Sequence, residues 1–130
     1  MNMKKYKKYL LLFLFGGVGY GLIELLWRGR THWTMMIAGG ICLVAFSVIE
    51  KRLSGAPLIL KSAICAGFVT LTELVFGLIF NVLLGWEVWN YGKMPYNILG
   101  QICPTYTLLW WGLAFISLPL VKLSNKKISL

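Results

Sequence analysis

Thr70, Glu73, Gly77 and Asn81 stand three, four and four positions apart in an otherwise apolar run. At about 100° per residue they share one narrow stripe of a helix. Glu73 lies about twelve residues past Lys61, or ~18 Å of helix, which places it near the centre of a bilayer. An ionisable group at that depth is expensive and faces a bundle interior or a wet cavity. The chemistry open to it is binding a cation or exchanging a proton. The structural alternative is a protonated or hydrogen-bonded glutamate that only pins one helix to another.

A second carboxylate, Glu24, belongs to a stripe of Gly17, Tyr20, Glu24 and Arg28. Glu24 and Arg28 have the spacing of a helical ion pair. Equally, Glu24 with Trp27 and His32 beside it is placed to stand at the mouth of a cavity whose floor is Glu73. Further on, Asn97 and Gln101 precede Pro104 and Thr105. That pattern predicts a fourth helix that opens with a polar stripe opposite Glu73 and kinks where the proline frees a backbone carbonyl. Segment 85–97 is dense in rings, with Trp86, Trp89, Tyr91 and Tyr96 around Glu87. Such a loop either lies flat as an interfacial anchor or boxes an organic cation through cation–π contacts. The candidate solute- or ion-binding set is therefore Glu73, Glu24, Asn81, Gln101, Asn97, Trp27, His32, Trp89 and Tyr91.

Other chemistries lack their residues. No serine stands with a histidine and a carboxylate at recognisable spacing, and neither H-E-x-x-H nor a Walker loop occurs. Glu24 with His32 offers acid–base chemistry on a lipid headgroup, the one enzymatic reading. Cys42, Cys65 and Cys103 sit in apolar runs without paired spacing, which argues for small apolar fillers and against a disulfide framework. One histidine with no ligand at metal spacing gives no metal site, and no cofactor is expected.

The elements that must position these groups follow from composition. The 130 residues are 58% hydrophobic with a mean hydropathy of +0.74, well above the roughly 45–50% apolar share of soluble domains. The chain needs lipid as its solvent. Its net charge of +9, from 13 basic and 4 acidic residues, collects in short clusters between apolar runs. That is a topology signal rather than a nucleic-acid footprint. Spans are expected at about 9–27, 34–50, 62–84 and 98–121, each near the ~20 residues a helix needs to cross lipid. The alternation of a barrel strand is missing. The expectation is a single all-α transmembrane domain over residues 1–130. The lysine-rich start resembles a signal peptide, but without a small-x-small cleavage site and with an apolar run reaching Trp27 it reads as a retained span.

Orientation follows from counting Lys and Arg on alternate sides. Lys4, Lys5, Lys7, Lys8, Lys51, Arg52, Lys61, Lys122, Lys126 and Lys127 fall on one side, and Arg28, Arg30 and Lys93 on the other. Both termini and the middle loop are thus expected in the cytoplasm, within the cell membrane. Glu24 and Glu73 both occupy outward-running helices, and Gly39-Gly40-Ile41-Cys42 echoes Gly100-Gln101-Ile102-Cys103. The echo suggests two parallel-repeated helical hairpins, as in one class of transporter folds.

Two separated motifs carry a family resemblance: residues 24–35, ELLWRGRTHWTM, and residues 85–91, GWEVWNY, followed by Pro95, Asn97 and Gly100-Gln101-Ile102-Cys103. They resemble the Putative ABC-transporter permease type IV (CmpB-like) family of small bacterial membrane proteins, across 16–111. Members commonly read Trp-Asp-Tyr-Ser where this chain has Trp89-Asn90-Tyr91-Gly92, so a role resting on that aspartate does not transfer. The resemblance implies transport. Nothing in the chain binds ATP, and an ATPase partner would have to dock on the short loop 50–61. The leading expectation is a small-solute or ion permease, channel-like and homo-oligomeric, with Glu73 as an intramembrane carboxylate site. The alternative is a non-transporting membrane scaffold or accessory subunit of a larger complex, and a third reading is a membrane-embedded enzyme acting on lipid.

Overall fold

Each apolar segment forms a helix. The protein, described here as a computed structural model over residues 3–29, 31–86, 88–89 and 92–127, consists of α1 (Met3–Arg28), α2 (Trp33–Arg52), α3 (Leu58–Phe76) and α4 (Pro104–Lys127). A π-helical segment, Gly77–Leu83, continues α3. Among the described residues four helices are long and apolar enough to cross a membrane, over Tyr6–Leu26, Trp33–Arg52, Leu58–Leu83 and Pro104–Leu123. A helix bonds its interior peptide groups within its own segment, which is what lipid demands of a span. The chain is a multi-pass membrane protein. Tyr91 and the side chain of Trp27 lie outside the described residues.

The turns are set locally. Gly29 leaves α1 at φ 74° with its N–H on Leu25 O, the left-handed exit that glycine adopts without a Cβ penalty. His32 then caps α2: its Nδ1 accepts from Thr34 N at 3.3 Å and lies 2.8 Å from Thr34 Oγ1. Pro57 immediately precedes α3.

The fourth helix differs from expectation. It begins at Pro104 rather than near 98, so Asn97 and Gln101 lie in the irregular segment before it and form no helical stripe. A proline at the first helical position loses no hydrogen bond and carries the right φ, so Pro104 starts the helix instead of kinking it. For the same reason the glycine–cysteine echo does not mark equivalent positions. Gly39 to Cys42 lie inside α2, whereas Gly100 has φ 71° and Ile102 pairs with Ile98 in an isolated bridge.

Packing makes two hairpins, α1 with α2 and α3 with α4. α2 also touches α3 and α4, while the α1 backbone approaches only α2. Small residues explain the first hairpin. A Cβ on Gly17 would stand 2.9 Å from Met36 O, and one on Gly16 2.7 Å from Leu43 Cβ. Phe46, Cys65, Ala114, Leu118 and Val121 form one core cluster, and Met35, Val88 and Trp89 form another.

A polar cluster ties one end of the bundle. Lys8 of α1 donates to Asn125 Oδ1 of α4, which also accepts from Ser47 Oγ of α2 at 2.8 Å. Lys61 Nζ pairs with both oxygens of Glu50 at 2.9 and 3.0 Å. The start of α1, the end of α4 and the α2–α3 turn therefore share this end. Lys8 and Lys61, counted among loop and tail charges, are instead buried within helices.

Candidate functional site

The predicted stripe of α3 does fall on one face, and that face meets α4 and the segment leading into it. Thr70 Oγ1 is 3.0 Å from Thr107 Oγ1. One turn on, Glu73 Oε1 accepts from Trp110 Nε1 at 2.8 Å. At Gly77 the missing side chain is replaced by Gln101, whose Cβ would lie 2.9 Å from a Cβ added there. Asn81 Nδ2 then donates to Gln101 Oε1 at 2.8 Å.

The π-helical turn lies where this stripe meets the segment that leads into α4. Its wider hydrogen bonding, seen in Leu84 N to Ile79 O at 3.0 Å, is uncommon and recurs at functional sites. Asn81 Oδ1 accepts from Val88 N at 2.6 Å and Trp89 N at 3.4 Å, while Trp89 Nε1 donates to Gln101 O at 2.9 Å. Gln101 closes the circuit by donating Nε2 to Leu99 O at 2.8 Å. Leu99 itself has φ 56°, a left-handed conformation that costs a leucine ~1–2 kcal/mol. The network over-determines that backbone and holds the Trp89 ring in place.

Trp89 forms one wall of a half-open cavity of about 230 Å³ between the two hairpins. Tyr20 of α1, Met35, Gly39 and Cys42 of α2, Glu73 and Phe76 of α3, and Trp110, Leu113 and Ser117 of α4 line it. Among the described residues Glu73 is the one ionisable carboxyl in that lining and is only 6% exposed. Tyr20 and Trp110 bridge the mouth between α1 and α4, with ring centroids 5.7 Å apart. The site is thus an apolar chamber with a hydrogen-bonded carboxylate on its wall. It can hold an apolar body and neutralise one positive charge, or exchange a proton.

The candidates separate into groups. Glu73 and Trp89 line the chamber, and Asn81 and Gln101 brace its Trp89 wall. Asn97 locks a turn, with Nδ2 donating to Met94 O at 2.9 Å and Oδ1 accepting from Gly100 N at 3.0 Å. His32 is the α2 cap. Glu24 is buried on α1 but is not among the lining residues. Outside the chamber, Trp33, Trp86, Phe80 and His32 pack ring against ring, with Trp86 stacked on Phe80 at 5.4 Å.

Trp110 was not a sequence candidate, although the signal existed. Cys103, Thr107, Trp110, Ala114, Leu118, Val121 and Asn125 recur every three or four residues, the spacing of a buried helical face. That face becomes legible once the helix starts at Pro104. Among the described residues no cluster of three or more His, Cys, Asp or Glu side chains could hold a metal.

No curated protein and no solved structure matches the chain. A family described as Putative ABC-transporter type IV matches residues 32–129, from the cap of α2 through the whole of α4. The match takes in Glu73, the Asn81–Gln101–Trp89 network and Trp110, and the chain belongs to this family of transporter-type membrane proteins.

Proposed function

We propose that the protein is a small-solute or ion permease of the cell membrane, with both termini cytoplasmic and Glu73 as its central binding or proton-exchanging group. The observation that carries this reading is the position of Glu73, buried near the middle of its span on the wall of a half-open chamber. A buried carboxyl inside a membrane is costly, and one used only for packing gains nothing from lining open space. Family membership supports a transport role. The excess of Lys and Arg at the end shared by both termini supports the orientation. Four helices leave room for a chamber but little for a full pathway, which favours a homo-oligomer or a companion membrane or ATPase subunit.

The test is solute or proton flux in proteoliposomes. Wild-type protein is expected to conduct and Glu73→Gln to lose most of the flux. Full flux in that variant would exclude Glu73 from the pathway.

A second reading, an accessory subunit that moves nothing by itself, is favoured by the interhelical bond Thr70–Thr107 and by the bond from Asn81 to Gln101 in the segment before α4, which serve packing. It expects no flux from the purified protein and co-purification of a membrane partner. For the lipid-enzyme reading the geometry offers less: Nδ1 of His32 is engaged by Thr34.

A further inference from the structure

The chamber has two features that together describe its ligand. Its wall is aromatic and aliphatic, with Tyr20, Phe76, Trp89 and Trp110 presenting rings, and Glu73 supplies its single charge. Its mouth faces sideways: the α1 backbone does not come close to α4, and between the Lys8–Asn125 bond at one end of the bundle and the Tyr20–Trp110 ring contact the two helices stand apart. At that rim Phe15 and Ile23 are 71% and 44% exposed, and a Cβ on Gly19 would meet nothing within 4 Å. In a membrane this opening gives onto hydrocarbon.

We propose that the chamber binds a small organic monocation with an apolar body, a substituted ammonium, admitted from the bilayer between α1 and α4 and paired with Glu73. The inference rests on the permease reading for its purpose, but not for its geometry. Charge complementarity selects the class. In a low-dielectric chamber a carboxylate attracts a cation far more strongly than it does in water, and aromatic faces add cation–π attraction when the cation is desolvated. Hydrated metal ions are disfavoured, because one carboxylate among apolar walls cannot replace a hydration shell that calls for six or more oxygens. Size narrows the class. The volume of about 230 Å³ exceeds the ~150 Å³ apolar cavity that accepts benzene and falls below the ~300 Å³ lower bound of drug-sized pockets. A ring or branched alkyl group carrying one ammonium fits that interval.

The experiment uses the full chain in lipid nanodiscs, with labelled benzyltrimethylammonium as probe and empty nanodiscs as reference. Saturable binding to wild type is expected, without displacement by an equal concentration of neopentylbenzene, which has the same shape and no charge. Glu73→Gln should weaken cation binding by at least ~tenfold, equivalent to ~1.4 kcal/mol. Gly19→Phe, which fills the mouth without touching Glu73, should also abolish binding in protein that keeps its melting temperature. Full displacement by neopentylbenzene would overturn the proposal in favour of an apolar occupant such as a lipid acyl chain. No saturable binding to wild type, or unchanged binding in Glu73→Gln or in folded Gly19→Phe, would overturn it as well. Binding without flux in the proteoliposome assay overturns only the permease reading. Glu73-dependent flux without binding of this cation overturns only the ligand class.

Discussion

Trp110 Nε1 donates a 2.8 Å hydrogen bond to Glu73 Oε1 across the α3–α4 seam, so the carboxyl that faces the chamber is held by the helix on the far side of that seam. Trp110→Phe keeps the ring and removes the donor. It should lower stability by ~1–3 kcal/mol, the cost of an unmade bond to a buried polar group. A melting curve in detergent checks this. Glu73→Gln keeps a carbonyl acceptor and should lose less, and an equal loss in both variants would show that the bond is not what holds the pair.

Gly77 and Gln101 form a seat that tolerates no side chain. Gly77→Ala should cost ~1–3 kcal/mol through overpacking, and Gly77→Ala with Gln101→Ala should cost less than the sum, because the residues share one space. Additive losses in the two-variant cycle would show that they act independently.

The Lys61–Glu50 pair is buried, with side-chain exposures of 6% and 3%. Removing one partner leaves an uncompensated charge, so Glu50→Leu should destabilise by ~3–5 kcal/mol. Adding Lys61→Met should restore most of that, since replacing a whole buried pair with apolar groups is often neutral. Thermal unfolding of the single and double variants distinguishes the two outcomes.

Close contact of α1 with α2 depends on Gly40, where a Cβ would stand 2.6 Å from Phe13 O. Gly40→Val should separate the hairpin and widen the chamber mouth, with a loss of monodisperse protein on size-exclusion chromatography. A normal elution profile and melting temperature would mean that the helices can part without cost.

Topology has its own measurement. With the native cysteines replaced, Ser54→Cys in the α2–α3 turn should react with a membrane-impermeant maleimide only from the cytoplasmic side. Lys93→Cys should react only from the opposite side. The reverse pattern would invert the orientation drawn from the basic clusters.

Much of the architecture was legible without coordinates, because lipid imposes a local rule: an apolar run of about twenty residues has to satisfy its own backbone and becomes a helix. Residues Thr70 to Asn81 likewise announced a shared face, since 3.6-residue periodicity is written in spacing alone. The start of α4 was not legible in this way. Ile98, Leu99, Ile102 and Cys103 keep this stretch largely apolar around Gln101, and hydropathy cannot distinguish a helix from a segment pinned by Gln101, Asn81 and Trp89. What decides there is a set of hydrogen bonds between residues up to 20 positions apart. The same limit applies to Lys8 and Lys61. Charge counting placed them with solvent, and only a partner brought close by the fold, Asn125 in one case and Glu50 in the other, makes burial affordable.

The sequence by itself determined a four-helix membrane chain and a carboxyl at mid-span, because both follow from hydropathy and period. The tertiary structure alone decided that this carboxyl meets Trp110, that Trp89 roofs the chamber beside it, and that the opening lies between α1 and α4. Those facts depend on which helices touch, and helix contacts are set by small-residue seats and interhelical bonds that no local pattern encodes.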